Sequence, residues 1–269
     1  MRPPAIERMG YYPTDEPVVE IIRTYLKPPS ERGRLFDPCA GEGKAASTLG
    51  KALNCETWGV ELSPERAGKA QNVMDKVFQA PWQACVLSDE SISWLYLNPP
   101  YDFDRFEGQK RLEWDFLKST SSKLMRGGLL TYIIPQKILG MIEVARLLAG
   151  HYEAITVYRF PDGLYEKFKQ VVVLASKRKL YQLPTDKEIL SLQSLASTEL
   201  EPIHSAVEPI YELLPAPLRG ANGKPVVFKR TDWEPEEVVE ATKEAGVHKT
   251  SDWLDLIRPM RGLAQLSQP

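Results

Sequence analysis

Arg34-Leu35-Phe36-Asp37-Pro38-Cys39-Ala40-Gly41-Glu42-Gly43-Lys44 is the stretch whose reading decides the fold. Arg34 to Asp37 reads as a short buried strand, and Lys44 to Leu53, rich in alanine, reads as a helix. Between them, Gly41 and Gly43 permit positive φ and a close backbone approach to a ligand. A strand that turns in this way into a helix builds the ligand crevice of an open α/β sheet. The spacing is not GxGxxG, and no Gly-Lys-Ser/Thr follows, so this is not a phosphate loop. A nucleotide-like cofactor fits the turn better. Asp37, at the strand end, is placed to accept a hydrogen bond from a cationic amino group or to orient a water.

The next strand, Thr57 to Glu61, ends in an acid 24 residues after Asp37. An acid at about that spacing grips ribose hydroxyls in dinucleotide sites, and a carboxylate can accept from two vicinal hydroxyls. Ser63-Pro64-Glu65 then opens a helix, with a capping residue followed by proline at the first helical position. Downstream, Trp94 to Leu97 is a strand running into Asn98-Pro99-Pro100-Tyr101. Pro99 leaves a free carbonyl and stiffens the turn, while Asn98 adds an amide oxygen. Two acceptors aimed at one exocyclic amine draw its hydrogens out of the ring plane and free the nitrogen lone pair. Tyr101 offers a flat face for the acceptor ring.

Helical and apolar strand segments alternate from Pro17 to Lys179. Val18 to Leu26 is helical and stops at Pro28-Pro29. Leu112 to Met125 reads as a helix closed by Gly127-Gly128. Leu129 to Ile134 is a fully apolar strand, Ile142 to Leu148 a helix, and Ile155 to Phe160 and Val171 to Ala175 two closing strands. The alternation predicts an α/β sheet with helices on both faces. The pattern changes after Tyr181. Thr185-Asp186-Lys187-Glu188 is a capping box opening a helix to Ala196. The prolines between Pro202 and Pro217 predict a linker or irregular arm, and Val226 to Phe228 a strand. Glu236 to Ala245 and Asp252 to Ile257 read as helices, and Gly262 to Pro269 as a tail without structural signal. We expect a domain at residues 1–180 and a small α+β extension at residues 181–269.

Composition bounds the possibilities. Of 269 residues, 43% are hydrophobic and 26% charged, as in an ordinary soluble protein. No apolar run reaches the ~18 residues of a membrane span, and Met1-Arg2-Pro3-Pro4 opens no signal peptide, so a cytoplasmic location is expected. Cys39, Cys55 and Cys85 form no CxxC pair and read as reduced thiols. His151, His204 and His248 are far apart, and no metal site is expected. The net charge of −2, from 34 basic and 36 acidic residues, announces no nucleic-acid stripe. The one compact basic run, Lys177-Arg178-Lys179, reads as a solvated strand end. If DNA is bound, a local patch or a partner must supply much of the phosphate contact.

Together these residues resemble class I S-adenosylmethionine-dependent methyltransferases, and more narrowly the Asn-Pro-Pro-Tyr adenine-N6 DNA methyltransferases. The resemblance runs from Tyr11 to Lys179. Tyr11-Tyr12-Pro13-Thr14 resembles the upstream motif that closes over the methionine end of the cofactor. Asp37, Pro38, Cys39, Ala40, Gly41 and Gly43 resemble the first cofactor motif, and Glu61-Leu62 the ribose-binding acid and its neighbour. Asn98, Pro99, Pro100 and Tyr101 resemble the catalytic motif, with Asn98 also beside the cofactor. The family implies a Rossmann-like, seven-stranded, mostly parallel sheet with an antiparallel last hairpin. It also implies S-adenosyl-L-methionine as cofactor and double-stranded DNA as substrate, with the target adenine flipped out. A bacterial or phage restriction-modification system would be a natural setting, with a separate specificity subunit as a possible partner.

Two features depart from that family. It places an aspartate after the third strand, where this chain has Phe78-Gln79-Ala80-Pro81-Trp82. Asp89 stands further on, and Trp82 is a candidate for stacking instead. The family also has an aromatic near the last hairpin that sandwiches the base; Phe168 and Phe160 are the candidates, with Phe168 preferred. No standard target-recognition domain follows Lys179. The extension, with Trp233 and Trp253, is open to reading as a DNA-reading appendage, a lid or a partner interface. Asn-Pro-Pro-Tyr also occurs in enzymes acting on protein glutamine amides and on RNA. A non-catalytic subunit is the third reading, motivated by the missing acid.

Overall fold

The computed structural model describes residues 12–101 and 111–231. Tyr11, Trp233, Trp253, the stretches 236–245 and 252–257 expected to be helical, and the tail lie outside the described residues. In chain order the elements are α1 (Glu16–Thr24), β1 (Leu26–Lys27), β2 (Gly33–Asp37), α2 (Lys44–Ala52), β3 (Cys55–Glu61) and α3 (Pro64–Gln71). Then come β4 (Lys76–Gln79), β5 (Cys85–Leu87), β6 (Ile92–Leu97), α4 (Leu112–Ser121), β7 (Leu124–Pro135) and α5 (Ile142–His151). The last are β8 (Tyr152–Arg159), α6 (Tyr165–Phe168), β9 (Gln170–Lys177), α7 (Asp186–Ser194), β10 (Tyr211–Glu212) and β11 (Phe228–Arg230).

Seven strands form one sheet in the order β4-β3-β2-β6-β7-β9-β8. All neighbours are parallel except β9, which runs antiparallel to both β7 and β8. This is a mostly parallel Rossmann-like sheet with an antiparallel last hairpin. Its central strands are buried along their whole length, which matches their near-continuous apolar sequence. One face packs against α1, α2 and α3 through Ile22, Leu49 and Ala70. The other packs against α4, α5 and α7 through Leu117, Val144, Leu148 and Leu192. The chain direction across the sheet reverses between β2 and β6, which pair at Leu35–Trp94 and Phe36–Leu95. The turns after these two strands therefore share one crevice at their carboxyl ends.

The connection from β4 to β6 contains no α-helix. A 3-10 turn at Trp82–Ala84 leads into β5, which pairs with β11 from near the end of the described chain. Phe228 on β11 is buried against Trp58, Phe36 and Phe78 and seals this part of the sheet. Other parts of residues 181–231 also lie on the domain. β10 pairs with β1, the Ala216 amide donates to the Arg32 carbonyl, and Arg34 donates to the Pro217 carbonyl. The arm expected between Pro202 and Pro217 thus contains a short strand.

Several expectations change. Gly127-Gly128 does not close a helix; α4 stops at Ser121, and β7 runs through both glycines. Gly127 has φ +76, and a Cβ on Gly128 would lie 2.6 Å from Leu124 and 3.0 Å from the Ser93 carbonyl. The pair accommodates the irregular register between β6 and β7. Trp82 is core, tilted on Phe36 with its indole N–H on Ser119, so it offers no stacking face. Phe160 is fully buried. Asp89 is a loop residue that accepts from Ser122 and Lys123. Lys177 turns inward rather than into solvent, donating to the Ser121 and Leu124 carbonyls. No helix among the described residues is long and apolar enough to cross a membrane. Among the same residues, no group of three or more His, Cys, Asp or Glu is placed to hold a metal ion.

Candidate active site

The glycine turn after β2 is held by its own backbone. Ala40 N–H donates to the Val60 carbonyl and Gly43 N–H to the Ala40 carbonyl, with Gly41 and Gly43 at φ 56 and 76. Asp37 is 4% exposed, accepts the Cys39 amide at 3.0 Å, and faces no cation among the described residues. Burial pushes its carboxyl up to about 7, opposed by the Cys39 hydrogen bonds and reinforced by the negative charge of Glu61. The Cys39 thiol is likewise held well above its ordinary value, by burial first and the Asp37 charge second.

Glu61 is wired differently. Oε2 accepts the Gly41 amide at 2.8 Å, while Oε1 accepts the Ser63 amide and two Arg66 donors at 2.8, 3.1 and 2.7 Å. A carboxylate has about four acceptor directions. Oε1 is therefore saturated, and Oε2 retains one. Glu61 ties the first turn to the β3–α3 turn, with Leu62 half-buried between Glu61 and Ser63. Ser63 caps α3 as the sequence predicts, accepting from the Arg66 amide.

The second turn lies directly against the first: the Cys39 thiol donates to the Asn98 carbonyl at 3.3 Å. Asn98 Nδ2 donates to the Tyr12 carbonyl at 2.8 Å and to Thr14 Oγ1 at 3.1 Å. Tyr101 Oη donates to Asn98 Oδ1 at 2.7 Å. Pro99 is buried, and no donor among the described residues reaches its carbonyl. The Tyr12 ring lies nearly parallel to Tyr101, with centroids 5.4 Å apart, and its other contact is the tilted ring of Phe168 at 4.6 Å. Phe168, 43% exposed, is thus the hairpin aromatic that reaches this turn.

A cavity of about 420 Å³ opens here, lined by Tyr12, Tyr101, Tyr165 and Phe168 and by Arg111, Lys137 and Lys169, of which Arg111 is paired with the buried Glu113. No acidic side chain lines it. Gln136 forms part of the wall; it accepts from the Tyr165 hydroxyl and donates to the Leu195 and Thr198 carbonyls.

The structure gathers Tyr12, Thr14, Asp37, Cys39, Gly41, Glu61, Asn98, Pro99 and Tyr101 into one crevice, and places Phe168 at its mouth. Pro13 and Pro38 sit between these residues, Ala40 and Gly43 complete the first turn, and Pro100 precedes Tyr101. Sequence reasoning missed Arg66, Arg111, Gln136, Lys137, Tyr165 and Gln170. Arg66 was findable, because a base in the first turn of a helix that follows an acid-ended strand can fold back on that acid. The others come from distant segments and carry no local signal.

The strand order and the paired turns define a Rossmann-like fold with one crevice at the switch point. Residues 5–215 match an uncharacterised methyltransferase family, DUF6094, and the chain belongs to that family. Among solved structures, it is similar to a methyltransferase from Pyrococcus furiosus at 17% identity, covering 62% of this chain and 87% of that one, with a TM-score of 0.45. It is also similar to an RNA methyltransferase from Salinibacter ruber, in complex with S-adenosyl-L-homocysteine, at 13% identity. The match covers 65% of this chain and 98% of that one, with a TM-score of 0.39. No curated protein matches the sequence.

Proposed function

We propose that this methyltransferase acts on the exocyclic N6 amine of an adenine flipped out of DNA, with S-adenosylmethionine as methyl donor. The observation that carries this reading is the cavity lined by Tyr12 and Tyr101, two of the residues hydrogen-bonded to Asn98, with Tyr165 and Phe168 completing its aromatic walls. A planar base suits the walls, and the Tyr12 ring lying flat on Tyr101 supports a ring-shaped occupant. Lys137 and Lys169 suit the phosphates on either side of such a base, while Arg111 is already paired with the buried Glu113. A glutamine side chain would use neither feature.

S-adenosylmethionine, when bound, supplies an electrophilic methyl group on a sulfonium. Asp37 fits its ammonium group, being a buried carboxylate with no cation among the described residues. The free direction on Glu61 Oε2 fits one ribose hydroxyl, fewer than the two vicinal hydroxyls that a lone carboxylate could serve. Asn98 Oδ1 and the open Pro99 carbonyl are the two acceptors for the amine hydrogens. They orient the nitrogen for in-line displacement, which depends on positioning and charge balance more than on a strong base. Extruding the base costs a few kcal/mol, offset by stacking on Tyr101 and Phe168. The near-neutral net charge fits an enzyme that shares phosphate contact with a specificity subunit, in a cytoplasmic restriction-modification setting.

Methyl transfer measured side by side on DNA, RNA and a protein mixture tests this, with sequencing-based detection of modified adenine. N6-methyladenine in DNA is expected. Label confined to RNA or to a glutamine amide would reassign the acceptor. No calorimetric binding of S-adenosylmethionine, with or without DNA, would favour a non-catalytic subunit.

A further inference from the structure

Behind Tyr101 lies Gln170, the first residue of β9, 3% exposed and paired across the sheet with Pro135. Its Nε2 donates to Tyr101 Oη at 2.6 Å. The direction of every bond in this chain follows from one fixed end. The Tyr12 carbonyl can only accept, so the Asn98 group facing it must be Nδ2, and Oδ1 must face Tyr101. The Tyr101 hydroxyl has a single proton, which goes to Oδ1, so its other neighbour must be a donor. Gln170 supplies that donor, and the Gln136 amide one strand away is engaged elsewhere, on Leu195, Thr198 and Tyr165. Thr14 Oγ1, hydrogen-bonded to Tyr96 Oη at 2.6 Å, steadies the far end.

We propose that Gln170 is a positioning residue for methyl transfer. It holds the Tyr101 hydroxyl pointed at Asn98 Oδ1, which fixes the plane of the Asn98 amide and leaves that oxygen one further lone pair for an acceptor amine. Gln170 lies outside every motif in the sequence and does not line the cavity. Its effect therefore travels through Tyr101 and Asn98. The inference rests on the proposed use of Asn98 as acceptor clamp.

The consequence is a kcat effect rather than a binding effect. Gln170→Met keeps the volume and removes the donor. It is expected to lower kcat about tenfold, the scale of one well-placed hydrogen bond, with KM for DNA and the cofactor Kd within about twofold of wild type. Tyr101→Phe keeps the ring and removes the relay, so adding Gln170→Met to it should cost nothing further. A readout that needs no acceptor accompanies the kinetics: hydrogen exchange of the Asn98 side-chain amide, assigned by NMR from its loss in Asn98→Ala. Exchange should quicken by at least about fivefold in both Gln170→Met and Tyr101→Phe. If wild type fails to methylate DNA, the proposed function falls and the exchange rates still judge Gln170. Unchanged exchange in the folded Gln170→Met protein overturns the relay. So does a full additive loss in the Tyr101→Phe background.

Discussion

The two halves of the crevice are built in opposite ways. The turn after β2 and the end of β3 draw all their parts from residues 37–66, and the loops hold one another through backbone amides and Glu61. The acceptor half is assembled from Tyr12, Asn98–Tyr101, Arg111, Lys137, Phe168 and Gln170. The first half is preorganised but leaves one charge unanswered, on Asp37. The second ties Asn98 and Tyr101 through long-range side-chain bonds but leaves the Pro99 carbonyl without a donor among the described residues, and an aromatic ring of the protein itself lies on Tyr101. A preformed pocket, the one we assign to the methyl donor, therefore faces one we assign to the acceptor, whose shape depends on several separate segments.

The largest effect should come from the residue where the halves meet. Asn98→Ala removes the amide and its bonds to Tyr12, Thr14 and Tyr101. Loss of a positioned polar group at the reacting centre costs about 10²–10³ in kcat. Cofactor affinity, set by the other half, should change by less than about threefold, as measured by calorimetry. An equal loss in both would mean that Asn98 is structural and that the halves are not separable.

Asp37→Asn probes the unanswered charge and should act only on the donor half. With the carboxyl pushed up to about 7, cofactor affinity in wild type should weaken as pH falls through that value, because a protonated acid accepts poorly from an ammonium group. The unfolded chain has Asp near 3.9, so between about pH 4 and 7 the native state holds the extra proton. Ligand-free stability must therefore fall as pH rises through this window. Asp37→Asn removes that slope. It should melt above wild type at about pH 8, and lose most of that advantage at about pH 5. A variant less stable than wild type at pH 8 would show that Asp37 has a cation partner after all.

The same contrast explains what the sequence could reveal. The donor half was legible because its chemistry is local: a strand, two glycines and a second strand ending in an acid. Six of the seven sheet strands and most of their flanking helices followed from apolar runs and caps, including the Thr185 capping box, while β4 carried no such run and only the family resemblance implied a seventh strand. Gly127-Gly128 misled because a glycine pair serves a helix end and a strand irregularity equally well, and only contact with Ser93 decides between them. Phe228 and Trp82 could not be assigned from their neighbours, since each is fixed by an aromatic cluster spanning Phe36 to β11. The acceptor half gave up Asn98 and Tyr101 through their turn but hid Gln170 and the basic residues lining the cavity.

A smaller effect is expected at the cavity wall. Tyr101→Ala should weaken capture of a flipped base by about 1–3 kcal/mol, read as KM or as fluorescence of an extruded base analogue. Cofactor binding should not change. An unaltered KM would take Tyr101 out of base recognition and leave it only its hydroxyl.

The smallest effect tests how far the acceptor half reaches. Thr185 Oγ1 accepts the Glu188 amide, and Glu188 returns the contact to the Thr185 amide at 2.7 Å, opening α7. The chain just beyond α7 supplies the Leu195 and Thr198 carbonyls that hold Gln136 in the cavity wall. Thr185→Ala should cost about 1 kcal/mol of stability in denaturant unfolding, the usual scale of a lost cap. Because α7 buttresses only one half of the crevice, a small rise in KM for DNA should accompany it, with no change in cofactor affinity. A shift in cofactor affinity instead would mean that the two halves share a support, and that strain in the extension reaches the glycine turn.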